Sequence, residues 1–223
     1  MRIVYNRLNV PFDLKNTKLN FIAIENSRYF EDFVIAVYEQ IKKKNEKLGF
    51  YINDKAEALY KYADVICSPM DITYDKKEIQ KKLIEMLTKE IQINEVEARF
   101  VKSHSDIVDA FETVQELSDF EIEFSDDFEL NRIIKEYDIK LKEPEGCFVE
   151  KLLEYMGTVC KLLNKEVFVL INCSSYLNDE DYLHISKWAM YQGVHVLFVN
   201  NYQLKLNIDV NEYIIDVDLC LLH

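Results

Sequence analysis

Glycine and proline are scarce, at 4 and 3 of 223 residues. So few of either argue against a turn-rich β-sandwich and against any enzyme built on several glycine loops. No run of about 18 apolar residues occurs, so no membrane-spanning helix is expected. The opening MRIVYNRLNVPFDL has neither the apolar stretch nor the small-residue cleavage site of a secretory signal, so none is expected. The five cysteines, Cys67, Cys147, Cys160, Cys173 and Cys220, form no C-x-x-C. Their odd number and wide spacing speak against structural zinc and against a disulfide framework. Reduced, mostly buried thiols of a cytoplasmic protein are the expectation.

What is present is ordinary globular chemistry, 49% apolar and 30% charged, not the profile of a disordered chain. The length suits one large domain, or one domain carrying a sizeable insertion, with enough chain to bury a substantial core. The net charge of −13 is unevenly spread. Residues 105–129 hold ten acids and no Lys or Arg, whereas residues 41–104 hold 13 basic and 11 acidic side chains. Such segregation bears on the choice of partners.

LNFIAI at residues 19–24 reads as a buried strand. After the polar Glu25-Asn26-Ser27, the residues Phe30, Phe33, Val34, Val37, Tyr38 and Ile41 fall at helical spacing, with Asn26 or Ser27 as N-cap. Gly49 marks a break. From about residue 53 to residue 117 the pattern is helical throughout, in stripes that include Ala56, Leu59, Tyr60 and Ala63, then Ile79, Leu83 and Met86, then Phe100, His104, Ile107 and Phe111. Residues 120–124 (FEIEF) alternate as a short strand. Ser125 is placed to cap a helix with Asp126 and Asp127 in its first turn, and residues 139–141 are a further strand candidate. Residues 148–163 read as a helix. Strand 167–171, a helix from the Asn178 cap to Gly193, strand 194–199 and strand 213–217 follow, an order that implies a parallel crossover. The fold class is α/β, a mostly parallel sheet with flanking helices. The expected division is an α/β head of residues 1–50 and 118–223 with an inserted helical leg of residues 51–117.

Phosphate-loop chemistry needs glycines to wrap a polyphosphate and a lysine to neutralise it. IENSRYFED stands where that loop would be, so an NTPase of this kind is not expected, and Arg28 is read first as a surface residue. No G-x-S-x-G surrounds Ser174 and Ser175, which read as loop or capping residues. His104, His184 and His195 form no ligand spacing. His104, on an apolar stripe, and His195, within a strand, read as structural.

The acids are a better signal. Glu121 and Glu123 share one side of the expected strand, Asp126, Asp127 and Glu129 follow, and Glu112 and Glu116 lie a helical turn apart upstream. Oxygen-only donors suit a hard cation, calcium ahead of magnesium, although a solvated acidic face is the commoner meaning of such a block. Lys76, Lys77, Lys81 and Lys82 repeat at helical spacing, with Lys55 and Lys61 on the helix before. Lysines without a glycine loop or interleaved aromatics read phosphates by charge, not bases by sequence. A symmetric oligomer that lined a shared cavity with them would offset the unfavourable net charge.

The order of elements, the Leu8…Pro11…Leu14 lead, LNFIAIENSRYFEDFVIAVYEQ without a phosphate loop, and the stretch from FVEKLLEYMGTVCKLLNKEVFVLINCSSYLNDEDY to HISKWAMYQGVHVLFVNNYQ resemble the short form of the Csn-type, subtype II-A CRISPR adaptation protein family. The resemblance runs over nearly the whole chain and implies a head like a degenerate P-loop NTPase with a helical leg inserted. It implies a non-enzymatic homotetrameric ring whose positively charged hole takes double-stranded DNA ends without sequence preference. It also implies calcium held by carboxylates, and a role in spacer acquisition beside the integrase pair and the RNA-guided effector nuclease. Carried onto this sequence, the calcium positions fall on Glu121, Glu123, Asp126 and Asp127, with Glu116 a fifth. The hole lysines fall on Lys42, Lys43, Lys44, Lys55, Lys61, Lys76 and Lys77. Two other classes remain beside this one: a nucleotide hydrolase with an atypical phosphate site, and a scaffold for the adaptation proteins that touches DNA only indirectly.

Overall fold

The computed structural model describes residues 1–7, 10–43 and 47–222. Lys44 and Leu8 lie outside the described residues. The chain divides into two compact units, residues 1–73 with 143–223, and residues 74–142. Residues 51–73 thus belong with the α/β unit and residues 118–142 with the helical one, both cuts falling later in the chain than the hydropathy pattern places them.

The α/β unit holds two sheets. In the larger, order β10-β9-β3-β8-β7-β6, strand β3 (Leu19–Ile24) lies between β8 (His195–Asn200) and β9 (Val210–Ile215). Beyond β8 come β7 (Val167–Ile171) and β6 (Ala63–Ile66), and these five strands are all parallel. The short β10 (Leu221–Leu222) pairs antiparallel at the edge. Every residue of β3, β7 and β8 is buried, which is why these strands read as unbroken apolar runs rather than alternating ones.

On one face, α1 (Ser27–Ile41) sends Phe33, Ala36 and Val37 against Ile22, Ile24, Val169 and Val199. Elsewhere α6 (Phe148–Leu163) packs beside α7 (Asp179–Gln192), and α7 lies against β8. Phe21 stacks on Phe198 at 4.8 Å, and Tyr182 of α7 meets Phe198 edge-on at 5.3 Å. Asn178 caps α7 by accepting the N–H groups of Glu180 and Asp181, and Gly193 ends it at φ 69°, where a Cβ would be strained.

The second sheet, order β2-β1-β4-β5, is antiparallel throughout and has no counterpart in the strands expected from the sequence. It joins β1 (Arg2–Tyr5), β2 (Val10–Asp13), β4 (Leu48–Ile52) and β5 (Lys55–Glu57). Ile3, Tyr5, Phe12, Leu48 and Phe50 from it enter the core shared with β3 and α1.

The helical reading from residue 53 onward is corrected here. Asn53 and Asp54 both have positive φ (49° and 61°) and join β4 to β5 as a two-residue hairpin, with Ile52 opposite Lys55. That turn matches strand twist and is favoured by Asn and Asp. Gly49 sits inside β4 rather than at a break. The stripe Ala56, Leu59, Tyr60 and Ala63 spans β5, the four-residue α2 (Leu59–Tyr62) and the start of β6, so its helical spacing is a coincidence of three short elements.

The helical unit consists of α3 (Lys77–Ile93), α4 (Glu97–Leu117) and α5 (Leu130–Glu136). Residues 120–124 do not form a strand. They are extended with no ladder partner among the described residues, and Ile122 and Phe124 turn toward α4 instead. Alternation survives without pairing because the unit offers only a helix to lie against. The helix expected from Asp126 begins at Leu130, since the Ser125 hydroxyl takes the Asp127 N–H in a local turn. Residues 139–141 are not a strand either.

Candidate functional site

Cations at the end of α1 come first. Helix α1 runs out at Ile41, and Lys42 and Lys43 follow, both exposed. The Lys42 ammonium lies 4.4 Å from the centre of the Tyr38 ring, and the Lys43 ammonium 4.4 Å from that of Tyr60. A cation over an aromatic face is attracted by the ring quadrupole, so each lysine is held in place while its charge stays in solvent. The sequence does not announce these aromatic partners. Tyr38 is only a turn away, but Tyr60 reaches Lys43 through the packing of α2 on α1. The Tyr60 carbonyl in turn accepts from the buried Lys165 at 2.5 Å. Lys61 is exposed on α2, next to Tyr60, and Lys55 is exposed on β5 rather than on a helix. Lys76 and Lys77 belong to the helical unit, at the cap position and first residue of α3.

At the other end of α1 the N-terminus is closed. The Asn26 side chain accepts the Tyr29 N–H at 3.3 Å and donates to the Val217 carbonyl at 3.0 Å. One of the first donors of the helix, a group that elsewhere helps cradle phosphates, is thus met by the chain itself. Arg28 is exposed.

The acids of the helical unit fall into separate places. Glu123 and Asp126 line a cleft of about 410 Å³ together with Glu112 and Gln115 of α4. The Gln115 side chain donates to the Ile122 carbonyl at 2.7 Å, which fixes the extended segment along the helix. Asp127 lines a neighbouring cleft with Glu129, Arg132 and His104. Glu116 and Glu121 line neither cleft and are exposed. The donors are all oxygen, as a hard cation prefers. Among the described residues no three His, Cys, Asp or Glu side chains come together as a metal-holding group.

His104 is structural, with Nε2–H donating to the Asp126 carbonyl at 2.9 Å and the ring edge-on to Phe128. His195 is buried in β8, and burial pushes its imidazole down to about 4. Ser174 is buried and donates to Asn200 at 3.0 Å. The cysteines differ from expectation: Cys67, Cys147 and Cys220 are exposed, Cys160 is half-buried and Cys173 alone is fully buried. Three of them follow or precede strand and helix ends, where a side chain meets solvent. No helix among the described residues is long and apolar enough to cross a membrane.

No curated protein matches the chain. The family model described as CRISPR-associated protein (Cas_Csn2) matches residues 38–219, from the last turn of α1 to just beyond β9. With well over half of its length matched, the chain belongs to this CRISPR-associated family.

Proposed function

We propose that the protein is a non-catalytic, homotetrameric ring that holds double-stranded DNA ends during spacer acquisition. The observation that carries the reading, beside family membership, is the contrast between the two ends of α1. The end where a nucleotide hydrolase would seat its phosphates is capped by Asn26 and tied to Val217. The other end presents Lys42 and Lys43, each set over a tyrosine ring. In this reading the α/β unit is a degenerate counterpart of an NTPase head, and the lysines meet phosphates by charge, without base recognition. Lys55 and Lys61 of the same unit are further candidates, and Lys76 and Lys77 are candidates within the helical unit. The oligomer is favoured by α4, whose 21 residues include no buried side chain and leave Ile107, Phe111, Val114 and Leu117 more than half exposed. Such a helix gains little from its own unit and is a natural face for another copy.

Calcium enters this proposal through donor chemistry and the family resemblance. Glu123, Asp126 and Glu112 are the first residues to test, followed by Asp127, Glu116 and Glu121. The integrase proteins and the effector nuclease are the proposed working partners.

The test is a gel shift with linear and covalently closed duplexes, in calcium and then in EGTA. Retention of linear duplex alone, lost in EGTA, is the expected result. Equal binding of closed circles contradicts end-threading. An assembly that never retards DNA favours the scaffold. Nucleotide turnover that vanishes with Arg28→Ala favours the hydrolase.

A further inference from the structure

At the corner where α4 ends, Leu117 and Phe120 stand 82% and 80% exposed. Glu116, Asp119 and Glu121 alternate with them, all exposed, in a segment without a single Lys or Arg. The result is an apolar knob ringed by carboxylates. Elsewhere in the same unit one stripe of α3 and one of α5 bound a groove of about 890 Å³. Lys77 and Lys81, a turn apart on α3, edge it on one side, and Lys135 of α5 on the other. Its apolar lining is the half-buried Ile84. Its one carboxylate, Glu85, is already paired with Lys82 at 2.5 Å and Lys81 at 3.9 Å. Asn131 accepts from Thr88 at 2.7 Å, which leaves its amide N–H groups as further donors. The groove therefore offers apolar lining and hydrogen-bond donors, and its complement is an acceptor-rich segment with large apolar anchors.

We propose that this groove receives the Leu117–Phe120 corner of a second copy of the chain. Two large apolar side chains enter a groove of a size typical for such anchors, and three carboxylates meet three lysines. A phosphodiester backbone would satisfy the lysines but leave Ile84 and the knob uncovered. Every copy carries both halves, so the contact can be made twice about a two-fold axis or passed around a closed ring. The proposal rests on the ring reading and names the surfaces that build it. In it the lysines, not a metal ion, neutralise Glu116 and Glu121, Lys77 leaves the DNA candidates for the interface, and Glu112, Glu123, Asp126 and Asp127 remain for calcium.

The test is the assembled mass by light scattering, measured in EGTA and in calcium. K77E/K81E/K135E and E116K/D119K/E121K are each expected to lower the mass, and their equimolar mixture to restore it, because each reversed groove then meets a reversed corner. L117S/F120S, two positions too exposed to matter for the fold, is expected to raise the dissociation constant about thirtyfold, as loss of central anchors does. Unchanged mass in L117S/F120S, or no recovery in the mixture, overturns the interface. So does K77E/K81E/K135E losing DNA while keeping its mass, which would make the groove a nucleic-acid surface. A wild-type monomer under all conditions sinks the ring reading itself. An assembled wild type indifferent to all three variants sinks only the interface.

Discussion

Lys43 stands over the face of Tyr60, 4.4 Å from the ring centre, and so ties the end of α1 to α2. Lys43 itself has a positive φ of 62°, the left-handed conformation that lets the chain turn away from the helix and lay the side chain over the ring. If the pair presents charge to a polyanion, K42E/K43E should weaken duplex binding. The plot of log affinity against log salt should flatten by about 2, one unit for each phosphate no longer neutralised. Tyr60→Leu, which removes the ring but no charge, should weaken binding while leaving the salt slope nearly unchanged. An unaltered slope in K42E/K43E would remove these lysines from the interface.

Asn26 has two roles, as acceptor for the Tyr29 N–H and donor to the Val217 carbonyl. Asn26→Ala should lower stability by about 1 kcal/mol for the lost cap, with some addition for the freed carbonyl. Asn26→Asp keeps the acceptor and loses the donor, so it should recover most of the difference. Urea midpoints at constant m-value distinguish the two. Neither variant should gain nucleotide binding if the missing glycines, rather than the cap, are what exclude phosphates.

His195 makes stability pH-dependent with a known sign. Its imidazole is depressed to about 4 by burial against an ordinary value of 6.5. The folded protein therefore keeps it neutral where the unfolded chain is protonated. Its contribution is intact above pH 6.5 and is lost as pH falls from 6.5 toward 4, by roughly 3 kcal/mol in total. His195→Gln should lose that part of the acid sensitivity, read as a smaller drop in urea midpoint between about pH 7 and about pH 4.5. A parallel drop in both proteins would assign the acid sensitivity to the carboxylates instead.

The thiols should separate by rate. Burial pushes Cys173 up to about 12 and Cys160 up to about 11. A thiolate is the reactive form, so both should resist an aromatic disulfide reagent at about pH 8 until the protein unfolds. Cys147 and Cys220 are exposed and should react fast. Cys67, also exposed but raised by desolvation and by Asp71, should be slower than either. Fast labelling of Cys173 in the native protein would mean that the region where β7 ends opens readily.

How much can be read from the chain depends on element length. The strand LNFIAI, the helix after it, residues 148–163 and the strand–helix–strand from residue 167 to residue 200 each carry enough apolar residues for period and burial to agree. Strands β5 and β6 have three and four residues, too few for any period to show. Their clue is Asn53-Asp54, a hairpin signal that the stripe beginning at Ala56 obscures. FEIEF keeps its alternation but finds no strand to pair with, because pairing is decided by neighbours and not by pattern. At the candidate site, Lys42 and Lys43 are visible as a charge run. Lys135 is not, since only tertiary packing sets it across a groove from Lys77 and Lys81. Glu112 is visible as an acid, but its company with Glu123 and Asp126 depends on a segment that folds back along α4.

Strand β3 lies between β8 and β9, both of which come from the far end of the chain. On a ribosome β3 would emerge early and find neither flanking strand for most of synthesis. The helical unit is contiguous from residue 74 to residue 142, so all of its residues are made well before residue 210. Closure of the large sheet must then wait for residues 210–215, so the slowest pairings of the head are also the last to be made. A stop codon ahead of Val210 would leave β3 with a bare edge, a hazard for clumping with other nascent chains.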